Sequence, residues 1–314
     1  MNVKSLIKKI LNPFFSPLLN KLSKIESQLE ENRISCAKSH IEKIKSLKNY
    51  PSRLSDVEFK VFSQWGEDGI IQFLISRVSI ENEVFIELGV ETYHESNTRF
   101  LLINNDWRGL IVDGNKEYMK RIQDDDIYWR HDLTSIAVFI TRNNINKVIE
   151  DSCITGDIGL LSIDVDGNDY WIWESINVVS PRIVVCEYNS IFGCKEAISI
   201  PYDEKFYRTN AHHSNLYFGV SLEALCVLAE KKGYVFAGSN RAGSNAFFVR
   251  KDVSSKVIAL SSEEGYVKSK ARESRDENGR LTYISGDNRL KLIANKEVVN
   301  VITNEKKIIR KVYL

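Results

Sequence analysis

The chain has 314 residues and a formal net charge of +1, with 43% hydrophobic and 27% charged residues. This is the composition of an ordinary globular protein, and it excludes a global electrostatic argument for nucleic-acid binding. The five cysteines form no C-x-x-C pair and show no zinc-ligand spacing, so we expect a reducing, cytoplasmic compartment.

The N-terminal region differs from the rest in charge. Residues 1–48 contain ten basic and four acidic residues. Residues 1–22 alternate basic and apolar side chains, a pattern typical of a segment that lies on an anionic membrane surface. The charged stretch that follows predicts a helix, which either packs against a second copy or folds onto the catalytic domain. We therefore predict a basic amphipathic helical extension over residues 1–50.

A polar turn follows at residues 62–68 and leads into an apolar helical segment. Gln64, Glu67 and Asp68 lie where this helix begins, and acids are favoured there by the exposed amides and the helix dipole. These polar groups either cap the helix or line a ligand pocket.

Two short apolar runs with a helical segment between them predict a β-α-β unit of a parallel sheet. The first run, 84–88, ends before Gly89, and the second, 109–113, ends in Asp113. The segment 97–105 between them has helical spacing and contains neither proline nor glycine. In open α/β sheets, ligands bind beyond the carboxyl ends of the strands.

The turn after the first run indicates the kind of ligand. Only Gly89, followed by Val90 and Glu91, stands where a dinucleotide fold needs G-x-G-x-x-G. A pyrophosphate cannot easily lie against such a turn, whereas an adenosyl group on a sulfonium amino acid fits. Asp113 would then accept hydrogen bonds from the ribose diol. The alternative is a sheet core without a ligand.

The remaining chain predicts alternating helices and strands, followed by a hairpin. The predicted elements are a helix over 116–125, a third strand over 127–130, a helical segment over 134–150, a fourth strand over 159–164, a helix over 170–176, a fifth strand over 182–189, a helix over 221–232, and hairpin strands over 234–238 and 245–250. Asp132 would follow the third strand, where it either accepts a hydrogen bond from an adenine amino group or is a loop residue without a role in binding.

These elements predict an α/β fold with a Rossmann-like class I methyltransferase sheet, because a mostly parallel sheet that ends in an antiparallel hairpin differs from an ordinary dinucleotide fold. We predict three regions: the extension 1–50, a catalytic domain 51–252 and an accessory segment 253–314.

Acidic residues follow the fourth and fifth predicted strands. Asp164, Asp166 and Asp169 end one strand, and Glu187 ends the next. Clustered carboxylates repel one another unless a cation, a proton or a donor compensates. Their oxygens suit Mg²⁺ or Mn²⁺, with Asn189 as a further ligand. The sequence from 166 to 169 also fits a simple turn.

Two adjacent histidines, His212 and His213, lie in the long loop after the fifth strand. A histidine is the usual general base for a hydroxyl, so either one could take that role or ligate the metal. A surface pair without a role is the alternative.

Six motifs occur in order between residues 60 and 250: Phe62-Ser-Gln-Trp-Gly-Glu-Asp, Phe85-Ile-Glu-Leu-Gly, His94-Glu-Ser-Asn-Thr, Leu110-Ile-Val-Asp-Gly-Asn, Ser162-Ile-Asp-Val-Asp-Gly-Asn-Asp and Val185-Cys-Glu-Tyr-Asn. Together they resemble the FkbM-type family of S-adenosylmethionine-dependent methyltransferases. The resemblance implies O-methylation of a sugar, nucleotide-linked or in the precursor of a surface polysaccharide such as a capsule.

The resemblance also implies roles for individual residues. It assigns the cofactor contacts to these residues: Gln64, Glu87, Gly89, Glu91, Asn97, Asp113 and Asp132. Asp164, Glu187 and Asn189 match positions that hold a metal or the substrate. Asp164 and a histidine, His212 or His213, would activate the hydroxyl, and a closed pocket would align it with the methyl group.

We therefore predict an S-adenosylmethionine-dependent O-methyltransferase in the cytoplasm or at the inner face of the membrane. One rival is a metal-dependent glycosyltransferase, because Asp164-Val-Asp166 has the D-x-D form. The other is a non-catalytic Rossmann-like adaptor that uses its N-terminal helix for assembly or membrane contact.

Overall fold

The computed structural model describes the backbone of residues 3–313 and the side chains of residues 15–313. Most of the predicted membrane-surface segment 1–22 therefore lies outside the described side chains. The described helices are α1 Val3–Lys45, α2 Glu67–Arg77, α3 Arg99–Asn105, α4 Lys116–Gln123, α5 Asp126–Arg130, α6 Ile145–Asp151, α7 Asp169–Ser175, α8 Arg208–Ala211, α9 Leu222–Lys232, α10 Ser262–Gly265, α11 Asn288–Leu292 and α12 Arg310–Tyr313. The described strands are β1 Val84–Leu88, β2 Arg108–Asp113, β3 Leu133–Ala137, β4 Gly156–Ile163, β5 Val179–Glu187, β6 Ile198–Ser199, β7 Tyr234–Ser239, β8 Asn245–Arg250, β9 Glu297–Asn300 and β10 Lys306–Ile308.

The centre of the protein is a seven-stranded sheet in the order β3-β2-β1-β4-β5-β8-β7. Strands β1 to β5 pair in parallel, and β8 runs antiparallel to both β5 and β7. The prediction of a mostly parallel sheet that ends in an antiparallel hairpin is therefore confirmed. The strand order reverses between β1 and β4, which is the switch point where ligands bind in such sheets.

The sheet is covered on both faces. All five residues of β1 are buried, as expected for a parallel strand between two helical layers. Ile86 packs on one face in a cluster with Trp173, whereas Phe85 packs on the other face in a cluster with Phe73. This alternation fixes the strand register, because a shift by one residue would exchange the two faces.

Among the described side chains of the long helix α1, those near its C-terminus pack against the body of the protein. Ala37, Ile41 and Ile44 are buried, and the helix contacts α2. Residues 15–29 are exposed throughout, so this part of the helix projects from the body of the protein. Over the described chain, no helix has the length and apolarity needed to cross a membrane.

The prediction of a third strand at 127–130 is wrong. These residues belong to α5, which begins where the Asp125 side chain accepts a hydrogen bond from the N–H of Ile127 at 2.9 Å. Strand β3 follows at Leu133–Ala137, inside the segment 134–150 that was predicted to be helical. A short apolar run of this kind fits a strand or a buried helical turn equally well.

The C-terminal segment builds a second, smaller sheet in the order β10-β9-β6. Its edge strand β6 comes from the long loop after β5, so the C-terminal segment is attached to that loop by backbone pairing. Leu281 forms an isolated bridge with Arg275. The predicted domain boundaries, 50/51 and 252/253, stay a prediction.

Candidate active site

Glu87, near the end of β1, is buried and organises the loop after its strand. Its carboxylate accepts hydrogen bonds from the Oγ of Ser96 at 2.8 Å, the N–H of Asn97 at 2.8 Å, and both the N–H and Oγ1 of Thr98. Burial raises the pKa of Glu87, and these donors oppose that rise. All of these bonds hold the loop at the start of α3, and the predicted contact of Glu87 with a cofactor stays a prediction.

Gly89 and Asp113 lie side by side at the carboxyl ends of β1 and β2. The N–H of Gly89 donates to the backbone oxygen of Val112 at 2.8 Å. The Asp113 carboxylate accepts from the N–H of Glu91 at 2.9 Å and from that of Asn115 at 2.7 Å. A carboxylate has about four acceptor positions, so two positions remain for hydroxyl groups. Asp113 therefore lies at the carboxyl end of β2 with acceptor positions to spare, and its role as the ribose acid stays a prediction.

The two polar residues predicted at the edge of the pocket lie in the neighbouring loops. The amide Nδ2 of Asn97 donates to the Oγ of Ser162 at 3.0 Å, which links the loop after β1 to β4. Gln64 is exposed, and its backbone oxygen accepts from Lys60 at 2.9 Å. Lys60 in turn pairs with Glu95 at 2.9 Å, so the Gln64 turn lies next to the loop after β1.

Asp132 is not at a carboxyl end, which corrects the placement beside adenine. It precedes β3, and its backbone oxygen accepts from the N–H of Gly109, at the opposite edge of the sheet from Asp113. Phe139 lies two residues beyond the carboxyl end of β3. Its ring packs beside Gly114 and stacks on Tyr207 with 5.4 Å between the ring centroids. No local sequence signal marks either aromatic residue, because both lie in loops whose paths across the sheet are not fixed locally.

The loop after β4 is closed by Asp169. Its fully buried carboxylate accepts from the N–H of Val165 at 2.8 Å and from that of Gly167 at 3.0 Å. The turn between them puts Asp166 at φ +56°, a left-handed backbone that aspartate tolerates. The turn interpretation of this motif is therefore correct for Asp169, and the same turn directs Asp166 towards Asp164.

Three carboxylates meet at the ends of β4 and β5. Oxygens of Asp164, Asp166 and Glu187 all lie within 4.8 Å of one another; we name these three residues the carboxylate group. Burial, followed by the charges of Asp166 and Asp169, holds the pKa of Asp164 well above its usual range. Burial and Asp164 do the same to the pKa of Glu187. The Oε2 atom of Glu187 is buried and has no hydrogen-bond partner in the described part of the chain.

Arg208 supplies a positive charge to the carboxylate group. Its guanidinium donates to Asp166 at 3.0 Å and to the backbone oxygen of Asn215 at 2.8 Å, and it lies 3.7 Å from the centroid of the Phe218 ring. Sequence reasoning missed Arg208 because it follows Asp166 by 42 residues in a loop, and no motif marks it.

The other predicted ligands have other partners. Within the described residues, neither His212 nor His213 belongs to the carboxylate group. Asn189 is buried, and its amide donates to the backbone oxygens of Leu216 and Phe218 at 3.0 Å each. His212 contacts Ser214, with 2.7 Å between Nδ1 and Oγ. Its ring lies next to that of His213, with 4.2 Å between the ring centroids and a tilt of 33° between the planes. Burial, and then His213, lowers the pKa of His212, so the imidazole is neutral near pH 7.

The strand order, together with the acids that follow β1, β2, β4 and β5, defines the class of the fold. A sheet in the order 3-2-1-4-5 continued by an antiparallel hairpin is the Rossmann-like sheet of class I methyltransferases. The chain therefore has a methyltransferase fold, with its candidate site at the switch point of the sheet.

Comparisons with known proteins give remote likenesses. No protein-family model matches the sequence, and no curated protein matches it. Among solved structures, an S-adenosylmethionine-dependent methyltransferase from Clostridium acetobutylicum ATCC 824 is similar at 9% identity and a TM-score of 0.38, over 59% of this chain and 90% of that one. The N-terminal domain of EvdMO1 with SAH bound is similar at 10% identity and a TM-score of 0.40, over 68% and 94%. An O-methyltransferase family protein from Burkholderia thailandensis follows at 7% identity and 0.36, over 77% and 59%. Likenesses this remote assign no activity, which must be argued from the residues.

Proposed function

We propose that this protein is an S-adenosylmethionine-dependent O-methyltransferase that acts on a hydroxyl of a sugar. One observation carries the proposal: Asp113 and the carboxylate group flank Gly89 at the carboxyl edge of one sheet. Asp113 ends β2, Gly89 follows β1, and the carboxylates follow β4 and β5. This order leaves a cofactor side and a substrate side next to each other across the switch point.

On the cofactor side, this chain provides a ribose acid and a backbone cradle. Asp113 accepts two backbone N–H groups and keeps two acceptor positions for the ribose. Gly89 and the loop that Glu87 holds together would face the methionine part. When bound, S-adenosylmethionine supplies an electrophilic methyl group on a sulfonium. The absence of further glycines is consistent with such a ligand, because no pyrophosphate has to lie against the turn.

On the substrate side, Asp164 and Glu187 are the candidates for the general base. A carboxyl with a raised pKa is suited to accept a proton from a hydroxyl as the oxygen bonds to the methyl carbon. The carbon–sulfur bond breaks in that step, and the electron pair leaves with the sulfur. His212 stays a second candidate for the base, since its neutral imidazole lies in the loop that carries Arg208.

The carboxylate group also fits a divalent metal. It offers three oxygen ligands of the type that Mg²⁺ or Mn²⁺ prefers, and Oε2 of Glu187 is buried without a partner in the described residues. Asp164 and Glu187 would hold the ion together with Asp166, which takes the place predicted for Asn189. When bound, such an ion would lower the pKa of a substrate hydroxyl.

A sugar is the substrate class that we propose, in a nucleotide-linked form or in a precursor of a surface polysaccharide such as a capsule. Carboxylates are suited to accept hydrogen bonds from neighbouring sugar hydroxyls, and the resemblance to the FkbM-type family supports this choice. The same resemblance supports a cytoplasmic protein, where the sulfonium cofactor and nucleotide-linked sugars are available.

The exposed part of α1 is a candidate contact surface. Phe15, Leu18, Leu22, Ile25 and Leu29 follow an alternating three- and four-residue spacing, and each is between 42% and 56% exposed. This is the a/d spacing of a coiled coil. Lys21 and Glu26 flank the stripe at g and e positions, where opposite charges of two parallel helices pair. We propose that a second copy of the chain covers this stripe, rather than a membrane.

The test of the proposed function is calorimetric titration with S-adenosylhomocysteine. We expect the wild-type protein to bind, Asp113→Asn to weaken binding roughly tenfold or more because a charged acceptor is lost, and Asp132→Asn to leave it unchanged. Asp132 is a matched control, since it lies at the opposite edge of the same sheet. Binding of a nucleotide-sugar with Mn²⁺, and of no adenosyl ligand, would instead support the glycosyltransferase. Absence of both would leave the non-catalytic adaptor.

A further inference from the structure

The cation that contacts the carboxylate group, Arg208, is held in place by several interactions. Arg208 comes from α8, a helix of four residues, yet its guanidinium is held from three sides. Nε donates to Asn215, one terminal nitrogen donates to Asp166, and the plane lies over Phe218. Its side chain is only 23% exposed. Because these contacts fix the rotamer of Arg208, little further side-chain entropy is lost when its guanidinium binds an acid.

A second acid stands on the far side of the same guanidinium. The other terminal nitrogen of Arg208 lies 4.0 Å from Oε2 of Glu273, which belongs to the C-terminal segment. The Glu273 side chain is 48% exposed, and its other oxygen lies 3.5 Å from Arg275. Arg208 therefore stands between the carboxylate group and an acid that contributes nothing to that group.

The charges on the two sides are unequal. Asp164, Asp166 and Glu187 bring three carboxylates to one site. Within the described residues, Arg208 is the cation that forms an ion pair with this group, through Asp166. It touches Asp166 and leaves Oε2 of Glu187 without a hydrogen bond. One guanidinium thus compensates the group only in part, and Oε2 of Glu187 remains an acceptor without a partner in the described residues, which a second cation would engage.

We propose that Arg208 is the resident counter-cation of the carboxylate group and that it competes with a divalent metal for Asp166, with Glu273 as its second acceptor. The inference rests on the metal site of the proposed function. It gives the C-terminal segment a role in the site: Glu273 holds the guanidinium when the metal holds Asp166. Metal affinity is then set by the competition as well as by the ligands.

The test is titration of Mn²⁺ alone into the full-length protein, followed by calorimetry. We expect Arg208→Met to bind Mn²⁺ about tenfold more tightly than wild type, because a positive charge next to the ligands is removed. Arg208→Lys keeps the charge and should bind as weakly as wild type. Arg142→Met is the matched control, since Arg142 also lies over aromatic rings and pairs with an acid, Glu174. It should leave Mn²⁺ binding unchanged.

The role of Glu273 is tested by a double-mutant cycle. Glu273→Gln should weaken Mn²⁺ binding about threefold in the wild-type background, where Arg208 loses its second acceptor, and should have no effect in Arg208→Met. Equal affinity of wild type and Arg208→Met, or no Mn²⁺ binding by either protein, would overturn the inference. The Mn²⁺ titrations contain neither cofactor nor substrate. Their result is therefore independent of whether the protein binds S-adenosylhomocysteine.

Discussion

Gly89 and Asp164 touch through their backbones, so that a Cβ atom added to Gly89 would lie 1.7 Å from the backbone oxygen of Asp164. Gly89 also has φ +82° and donates its N–H to Val112. One residue therefore joins the ends of three adjacent strands, β1, β2 and β4. Since Asp164 belongs to the carboxylate group, the cofactor side and the substrate side of the site are positioned against each other at this glycine.

We expect Gly89→Ala to lower the free energy of unfolding by about 3 kcal/mol, because a left-handed alanine is strained and its methyl group overlaps with backbone that cannot turn away. Urea unfolding measures this change. Gly156→Ala is the control, since Gly156 has φ +71° and no described atom lies within 4 Å of its added Cβ. It should cost about 1 kcal/mol from backbone strain alone. Equal losses in the two variants would contradict the close contact.

The buried Asp68 predicts a pH dependence of stability. Its Oδ2 accepts the N–H groups of Val61, Phe62 and Ser63 at 2.7–3.0 Å, while Oδ1 has no partner in residues 3–313. Burial outweighs these donors and raises the pKa of Asp68 from 3.8 to about 6. Between these values the folded protein retains a proton that the unfolded chain has released. The free energy of unfolding therefore falls as the pH rises from about 4 to about 6.

Asp68→Asn removes this titration but keeps an acceptor for the three N–H groups. We expect the variant to gain about 3 kcal/mol of stability relative to wild type between pH 4 and pH 7. Urea unfolding at both pH values gives the difference. Asp124→Asn, an exposed position at the end of α4, should show no such gain. A constant difference between Asp68→Asn and wild type would contradict the raised pKa.

The exposed stripe of α1 predicts a dimer. Light scattering after size exclusion should give twice the mass of the chain for wild type, and the mass of one chain for Leu22→Asp combined with Ile25→Asp, because charges at a and d positions disrupt a coiled coil. Ser23→Asp, on the other face of the helix, should stay dimeric. A monomeric wild-type protein would rule out the second copy, and sedimentation with anionic vesicles would then test the membrane alternative.

Most of the sheet could be predicted because its strands are strongly apolar and end in turns. Residues 84–88 and 182–187 are such runs, and both form strands where predicted. The failure at 127–130 has a local cause, since the capping acid Asp125 starts a helix in an apolar run too short to show a period. Strand β3 was missed because it is an edge strand of the sheet, and three of its five residues are not fully buried.

The site was predictable only where it follows from the strands. Asp113, Asp164 and Glu187 were expected at one edge because parallel strands share their direction, and the structure places them there. Their chemical roles stay predictions. Arg208, Phe139 and Tyr207 gave no sequence signal, because nothing local fixes where a loop crosses the sheet.

The sequence by itself determined most strands of the central sheet, the antiparallel hairpin, and the acids at the ends of β2, β4 and β5, because apolar period and turn residues are local properties. Only the tertiary structure decided which polar side chains form hydrogen bonds and ion pairs with one another. The Glu87 carboxylate binds donors of the loop after β1. The Asn189 amide binds backbone oxygens of the long loop. Arg208 came to stand between Asp166 and Glu273, residues far apart in the chain, because the long loop and the C-terminal segment pack against the same edge of the sheet.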